Sequence, residues 1–171
     1  ISLELSRANL LMNIGFTYYY LNKLDQSIEA FYESLKIAEK YDDKKVIANV
    51  RTNIANVQID LGELNSAQEN LNIVLNIQEE LGDENGVGRT LNTIGYIHRI
   101  NGDTDLALKN YNKALEIRLE SDDRIGAAAG YNNIAFIYRI NENYQLAIEN
   151  YNKALKIYEE EDELTGISAV C

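Results

Sequence analysis

Cysteine is almost missing from the sequence, since Cys171 is the only one. A single thiol excludes an internal disulfide and a metal cluster built on cysteine ligands. Long apolar runs are missing too, because no stretch approaches the about 18 apolar residues that a membrane-spanning helix needs. The first residues, Ile1 to Leu5, lack the basic region and apolar run of a signal peptide. These absences predict a cytoplasmic protein with no membrane partner.

Basic residues are fewer than acidic residues. The sequence has 16 lysines and arginines against 27 aspartates and glutamates, which gives a formal net charge of −11. Proteins bind nucleic acids largely by neutralising phosphates with Lys and Arg. The acidic balance therefore argues against a nucleic-acid partner.

What the sequence has in abundance is internal repetition. Residues 128–161 resemble residues 88–121, forty positions earlier, and both contain Asn-Tyr-Asn-Lys-Ala-Leu. The same step of forty relates Asn53-Ile54 to Asn13-Ile14. A fixed period held through four units without an insertion indicates a repeat array.

Each unit has the pattern of two helices. In residues 131–140, apolar side chains recur at positions i, i+3, i+4 and i+7, as on one face of a helix. A polar break at 141–143 precedes a second run with helical spacing. The unit is therefore predicted to be helix A, a tight turn and helix B.

Capping residues mark the ends of these helices. Asp103 and Asn143 are predicted to cap helix B, because their short side chains can accept from amides of the first turn. Gly62 and Gly102 are predicted to end helix A in the left-handed conformation. An acid that can cap the next helix A lies in each connection between units, at 42–44, 82–84, 122–124 and 162–163.

Small and large residues alternate at fixed places in the unit. Small residues stand where two helix backbones must approach closely: Gly15, Ala55, Gly95 and Ala135 in helix A, and Ser27, Ala67, Ala107 and Ala147 in helix B. A bulky residue follows in helix B, as Phe31, Leu71, Tyr111 and Tyr151. This pattern resembles the tetratricopeptide repeat family, and the resemblance runs through all four units.

The resemblance implies an all-α fold, a right-handed α-solenoid of four helix-turn-helix units. The units are expected at 8–47, 48–87, 88–127 and 128–167, with 168–171 as the start of a truncated fifth, in one array over 1–171. The period is 40 where the family commonly has about 34, and there is no proline. The sequence is therefore similar to a long-repeat branch of the family.

The ends of the chain carry no polar capping unit of the kind that solenoids need. We therefore expect a piece of a longer protein, whose uncapped ends self-associate.

Catalytic groups show no recognisable arrangement. His98, the only histidine, takes the position that Tyr18 and Tyr138 hold in other units, on the packing face of helix A. No serine or cysteine nucleophile is paired with it in a known motif. We expect a packing role for His98, and neither enzymatic activity, a metal site nor a cofactor.

The resemblance also implies a binding surface, because helix A lines the inner, concave groove of such arrays. The residues expected to line a peptide-binding groove are Asn9, Asn13, Phe16, Tyr20, Asn49, Asn53, Asn56, Arg89, Asn92, Tyr96, Arg99, Asn132, Asn133, Phe136 and Arg139. The asparagine amide can both donate to and accept from a peptide backbone. Asparagine is also frequent on helix B, as at Asn110 and Asn150, so composition alone is an alternative explanation.

The function expected is recognition of a protein or an extended peptide in this groove. Arg89, Arg99 and Arg139 form a basic step in an acidic protein, which favours an acidic ligand, although arginines also suit the negative ends of helices. Two alternatives remain open. One is the sensory part of a signalling enzyme, such as a histidine kinase or a nucleotide cyclase, and the other is a structural unit that assembles end to end.

Overall fold

The computed structural model of the protein describes residues 2–161. That part of the chain forms eight α-helices and no strand, which confirms the all-α prediction. The helices are α1 (Ser2–Tyr20), α2 (Leu24–Lys40), α3 (Lys44–Asp60), α4 (Leu64–Leu81), α5 (Glu84–Asn101), α6 (Thr104–Glu120), α7 (Arg124–Ile140) and α8 (Tyr144–Glu160). The later odd-numbered helices begin at Lys44, Glu84 and Arg124, so the structure keeps the forty-residue step of the sequence.

The chain divides into two compact units, each of two helix pairs. Unit 1 is Ile1–Gly82 and holds α1 to α4, and unit 2 is Asp83–Cys171 and holds α5 to α8. In each unit the first and third helices correspond to helix A and pack against the helix that follows. The start of a fifth repeat at 168–171 lies outside the described residues, and the single array and its handedness stay predictions.

The small residues lie where paired helices approach most closely. Ser27, Ala67 and Ala107 are fully buried, and the Ser27 Oγ donates to the Gly15 carbonyl at 2.9 Å. A Cβ atom on Gly95 would lie only 2.8 Å from the Tyr111 ring. Glycine is required there because the ring of the facing helix occupies the space of a side chain.

The bulky residue of helix B fills the core of each unit. Phe31 and Leu71 in unit 1 and Tyr111 in unit 2 are at most 1% exposed. Phe31 packs with residues of α2 and α3, and Tyr111 packs with residues of α6 and α7. Tyr151 of α8 is only half-buried, because no helix after α8 covers it within residues 2–161.

Every connection between helices contains one left-handed residue. In the described chain these residues recur every twenty positions, at Asn22, Asp42, Gly62, Gly82, Gly102, Asp122 and Glu142. Gly62 and Gly102 adopt φ of 78° and 83°, as the sequence predicted. Glu142 adopts φ of 62° at the equivalent place, although the left-handed conformation strains a residue with a Cβ atom.

Replacing Glu142 by glycine should raise the free energy of unfolding by about 1 kcal/mol. The left-handed conformation costs an L-residue roughly 1–2 kcal/mol, and the greater freedom of glycine in the unfolded chain offsets part of the gain. Urea denaturation would measure the change as a higher midpoint at constant slope. Glu142→Ala removes the same charge and keeps the strain, so it should not stabilise. An equal gain from both variants would assign the effect to charge.

Three of the predicted side-chain caps form, two do not, and the one at 162–163 lies outside the described residues. The Asp43, Asp83 and Asp123 carboxylates accept from the amide three residues later, at 2.9–3.1 Å. Asp103 and Asn143 occupy the N-cap positions of α6 and α8 without a side-chain bond, so that prediction was wrong. The Asp103 carboxylate lies 3.7 Å from the His98 Nδ1.

Candidate interaction surfaces

Two arginines and two aromatic rings interleave in unit 2. Tyr96 and Arg99 lie one turn apart on α5, and Phe136 and Arg139 lie one turn apart on α7. The Arg99 Cζ is 4.7 Å from the centre of the Tyr96 ring and 4.8 Å from that of Phe136. The Arg139 Cζ is 4.8 Å from the Phe136 ring. We call these four residues the arginine–aromatic ladder, because each guanidinium lies within cation–π range of a ring.

A buried tyrosine on the intervening helix contacts the ladder. Tyr111 on α6 is 1% exposed. Burial raises the pKa of the Tyr111 phenol, and Arg99 opposes that rise through its charge and a hydrogen bond. Arg99 is thus held by three aromatic residues from three helices.

The ladder arginines have no carboxylate partner in the described chain. Within residues 2–161, no Asp or Glu oxygen lies within 4.0 Å of the Arg99 or Arg139 guanidinium. The other described arginines differ: Arg7, Arg51, Arg89 and Arg124 each pair with a carboxylate, and Arg118 donates to the Gly126 carbonyl. The ladder therefore presents two cations whose strongest possible partner, an anion, has to come from outside this part of the chain.

Asparagines lie beside the ladder on the same two helices. The Asn133 Nδ2 donates to the Asn92 Oδ1 at 2.8 Å, which links α7 to α5. Asn132 is half-buried, one turn before Phe136. Unit 2 thus brings together most of its predicted groove residues. Arg89 stands apart, because its guanidinium lies 4.0 Å from Asp83 at the start of α5.

Unit 1 carries a recess on the corresponding helices. It has a volume of about 20 Å³, room for little more than one water-sized group, and is lined by Phe16, Tyr19, Phe31, Asn53 and Asn56. The Phe16 and Phe31 rings meet edge to face with centres 5.7 Å apart. Phe16, Asn53 and Asn56 were predicted as groove residues.

The remaining predicted residues of unit 1 lie elsewhere. Asn9 and Asn13 on α1 and Asn49 on α3 are exposed and do not line this recess. Tyr20 is 83% exposed, and its ring lies 6.1 Å from that of Tyr19. The recess therefore brings together three of the seven predicted residues of unit 1.

A tyrosine–carboxylate pair joins α1 to α3, and the predicted groove set contains neither residue. The Tyr19 hydroxyl donates to the Asp60 Oδ2 at 2.6 Å. This hydrogen bond, together with burial and the charge of Asp60, raises the pKa of Tyr19 to about 12. The signal that the sequence did contain is Asp60 itself, since the equivalent residues are Tyr20, Ile100 and Ile140.

Alkaline pH should destabilise the protein partly through Tyr19. Its pKa is raised from 10.0 to about 12, so its contribution to stability is complete below pH 10 and is lost as the pH rises through about 12. Tyr19→Phe removes the titrating group. The variant should therefore lose less stability than the wild type between pH 10 and pH 12, measured by urea denaturation. Tyr20→Phe, which leaves the Asp60 bond intact, should behave like the wild type. Parallel curves for the wild type and Tyr19→Phe would contradict the assignment.

The fold and these surfaces define a class, that of helical repeat proteins with a polar, partly aromatic face on helix A. The sequence profile of the family described as Tetratricopeptide repeat matches residues 6–80, 46–120 and 86–160. The chain belongs to the tetratricopeptide repeat family. Membership supports a protein-interaction module as the general class of function. The assignment to a long-repeat branch stays a prediction.

No curated protein matches the sequence at a significant level, but solved structures share its fold. BtubC (BKLC) from P. vanneervenii has a TM-score of 0.83 at 19% identity, over 91% of this chain and 65% of that one. A Rap protein complexed with Competence and Sporulation Factor has a TM-score of 0.88 at 20% identity, over 98% and 46%. Aspartyl phosphate phosphatase F from Bacillus subtilis has a TM-score of 0.92 at 17% identity, over 98% and 44%.

These likenesses confirm the prediction of an all-helical repeat solenoid. The chain spans between 44% and 65% of the length of the three solved chains. Of the helices within residues 2–161, none is long and apolar enough to cross a membrane.

Proposed function

We propose that the chain is a protein-interaction module and that unit 2 binds an extended acidic peptide segment at the arginine–aromatic ladder. The observation that carries the proposal is the missing counter-ion: Arg99 and Arg139 lie against aromatic rings, with no carboxylate within 4.0 Å in residues 2–161. Arg99 is half-buried, and a cation that is partly removed from water gains from an anionic partner.

The electrostatic argument favours a carboxylate ligand. The sequence has 27 acids to 16 bases, yet none of the carboxylates within residues 2–161 lies within 4.0 Å of the Arg99 or Arg139 guanidinium. Rings beside a guanidinium limit its rotation, so fewer conformations are lost when an anion binds. Arg99 and Arg139 also suit the negative ends of α5 and α7, but that role needs no aromatic contacts.

The neighbouring amides favour a peptide over an isolated anion. Asn92 and Asn133 use one donor and one acceptor on each other and keep further donor and acceptor capacity for a backbone. A Rap protein of similar fold was solved in complex with Competence and Sporulation Factor, so this fold is compatible with a bound signalling factor. The same chemistry would serve the sensory part of a larger signalling protein, and the chain spans only part of the solved chains.

A displayed library of short randomised peptides, panned on the full chain, tests the proposal. We expect the bound peptides to be enriched in Asp and Glu relative to the input library. The Arg99→Ala, Arg139→Ala double variant, panned in parallel, should lose that enrichment because it keeps the helices and removes both cations. Binders without acidic enrichment, or the same enrichment on the double variant, would refute the ladder as the binding site.

A further inference from the structure

Asp60 departs from a local rule of helix stability. It is the last residue of α3, where a carboxylate opposes the negative end of the helix. The equivalent positions of the other repeats carry Tyr20, Ile100 and Ile140. Residues that violate a local preference are often found at functional sites.

The Tyr19 side chain contacts this carboxylate. Asp60 accepts the Tyr19 hydroxyl at 2.6 Å, and the Tyr19 and Tyr20 ring centres are 6.1 Å apart. Tyr19 and Phe16 also line the recess described above, beside Asn53 and Asn56. Within residues 2–161, no Lys, Arg or His nitrogen lies within 4.0 Å of the Asp60 carboxylate.

We propose that Asp60, Tyr19 and Tyr20 form a site on unit 1 for a cationic side chain, lysine or arginine, of a protein ligand. The carboxylate supplies the counter-charge through the oxygen that Tyr19 leaves open, and the exposed Tyr20 ring supplies a cation–π face. Tyr19 is the positioning residue, because its hydrogen bond holds the carboxylate toward α1. The chemistry is opposite in sign to that of the ladder.

The site is separate from the ladder of unit 2, so the proposal does not depend on the acidic-peptide function. The repeat pattern also separates the two sites. The position of Tyr19 in helix A is occupied by Arg99 and Arg139 in unit 2, and the position of Asp60 is occupied by isoleucine there. The same face of the repeat thus presents an anion in unit 1 and cations in unit 2.

Small cations that mimic the side chains test the site directly. The full chain, labelled with nitrogen-15, would be titrated with butylguanidinium and butylammonium while amide signals are followed. We expect saturable shifts at the backbone amides of Tyr20 and Asp60 and at the side-chain amides of Asn53 and Asn56. Neutral butanol should produce no saturable change at these signals.

Matched variants distinguish binding of the cation at this site from its general attraction to an acidic protein. Asp60→Asn should weaken butylguanidinium binding about tenfold or more, since it removes a charged hydrogen-bond partner. It should remain folded, because the asparagine oxygen can still accept from the Tyr19 hydroxyl and the change relieves the unfavourable charge at the end of α3. Asp105→Asn, which changes the net charge equally at an exposed position of α6, should bind as the wild type does.

Asp60→Glu keeps the charge and provides a second check if Asp60→Asn disturbs the fold. It should retain saturable binding. Shifts that fail to saturate in the wild type, or equal affinity in the wild type and Asp60→Asn, would overturn the proposal. Saturable binding lost only in Asp60→Asn would support it.

Discussion

Replacing Tyr111 by alanine is expected to lower the free energy of unfolding by about 3–5 kcal/mol, the usual cost of truncating a large buried ring. Tyr111 is 1% exposed, and its ring lies where a Cβ atom on Gly95 would be only 2.8 Å away. The ring fills the space between α5 and α6, and its removal leaves that space as a cavity. Urea denaturation of the full chain, compared at equal slope, measures the loss.

Two further variants show where the loss comes from. Tyr151→Ala makes the same change at the equivalent position of α8, where the ring is only half-buried, and should cost clearly less. Tyr111→Phe keeps the ring and removes the hydroxyl that contacts Arg99, so it should retain most of the stability. Equal losses for Tyr111→Ala and Tyr151→Ala would mean that the core of unit 2 is wrongly assigned.

Reversing both ladder charges, by Arg99→Glu with Arg139→Glu, should weaken binding of an acidic peptide at least about a hundredfold. A hydrogen bond to a charged group contributes roughly 1.5–3 kcal/mol, which is about tenfold or more for each arginine. The new carboxylates add repulsion to these two losses. Fluorescence anisotropy with the tightest acidic peptide from the library measures the dissociation constants.

The control must carry the same change in net charge. Arg7→Glu with Lys109→Glu provides it, because both residues are exposed and neither belongs to the ladder or to the predicted groove. We expect this variant to bind within a few-fold of the wild type, apart from the long-range effect of charge, which added salt screens. The ladder variant should stay helical by circular dichroism at a temperature well below its melting point. Equal weakening in both variants at moderate salt would show that net charge, and not the ladder, determines binding.

The helices were predictable because their signals are local and repeated four times. The step of forty, the spacing of apolar residues and the glycines at 62 and 102 are together enough to place the helices along the chain. The caps were less predictable. Asp103 and Asn143 have the side chains of N-caps and occupy the N-cap positions, but neither side chain accepts from the first turn, so the residue type alone did not predict the bond.

Most residues of the candidate surfaces were predictable from the sequence, but the contacts between them were not. Arg99 and Phe136 were both placed on one face of helix A, but their contact joins residues almost one repeat apart. Such a contact depends on how one helix pair rotates against the next, which helical periodicity does not specify. The contact between Tyr19 and Asp60 was missed for the same reason, because neither residue alone signals the other.

Gln58 is a core residue whose contacts were likewise not predictable from the sequence. It departs from the repeat, since Tyr18, His98 and Tyr138 stand at the equivalent positions. In the structure it is 4% exposed, and its Oε1 accepts from the Asn70 Nδ2 at 3.0 Å. Asn70 in turn accepts from Arg51 at 2.8 Å, so repeat two replaces an aromatic contact with a buried polar network.

The short, regular turns affect the rate at which the chain folds. Because each connection is only two or three residues long, every helix meets its partner through a small loop closure, and the hydrogen bonds that link successive helices A span just 41 residues. Proteins with such low contact order fold in microseconds to milliseconds. The sequence also has no proline, so peptide-bond isomerisation, the usual slow step, does not arise. Once the first repeats have folded together, each further helix pair can therefore pack onto them faster than the ribosome synthesises the next pair.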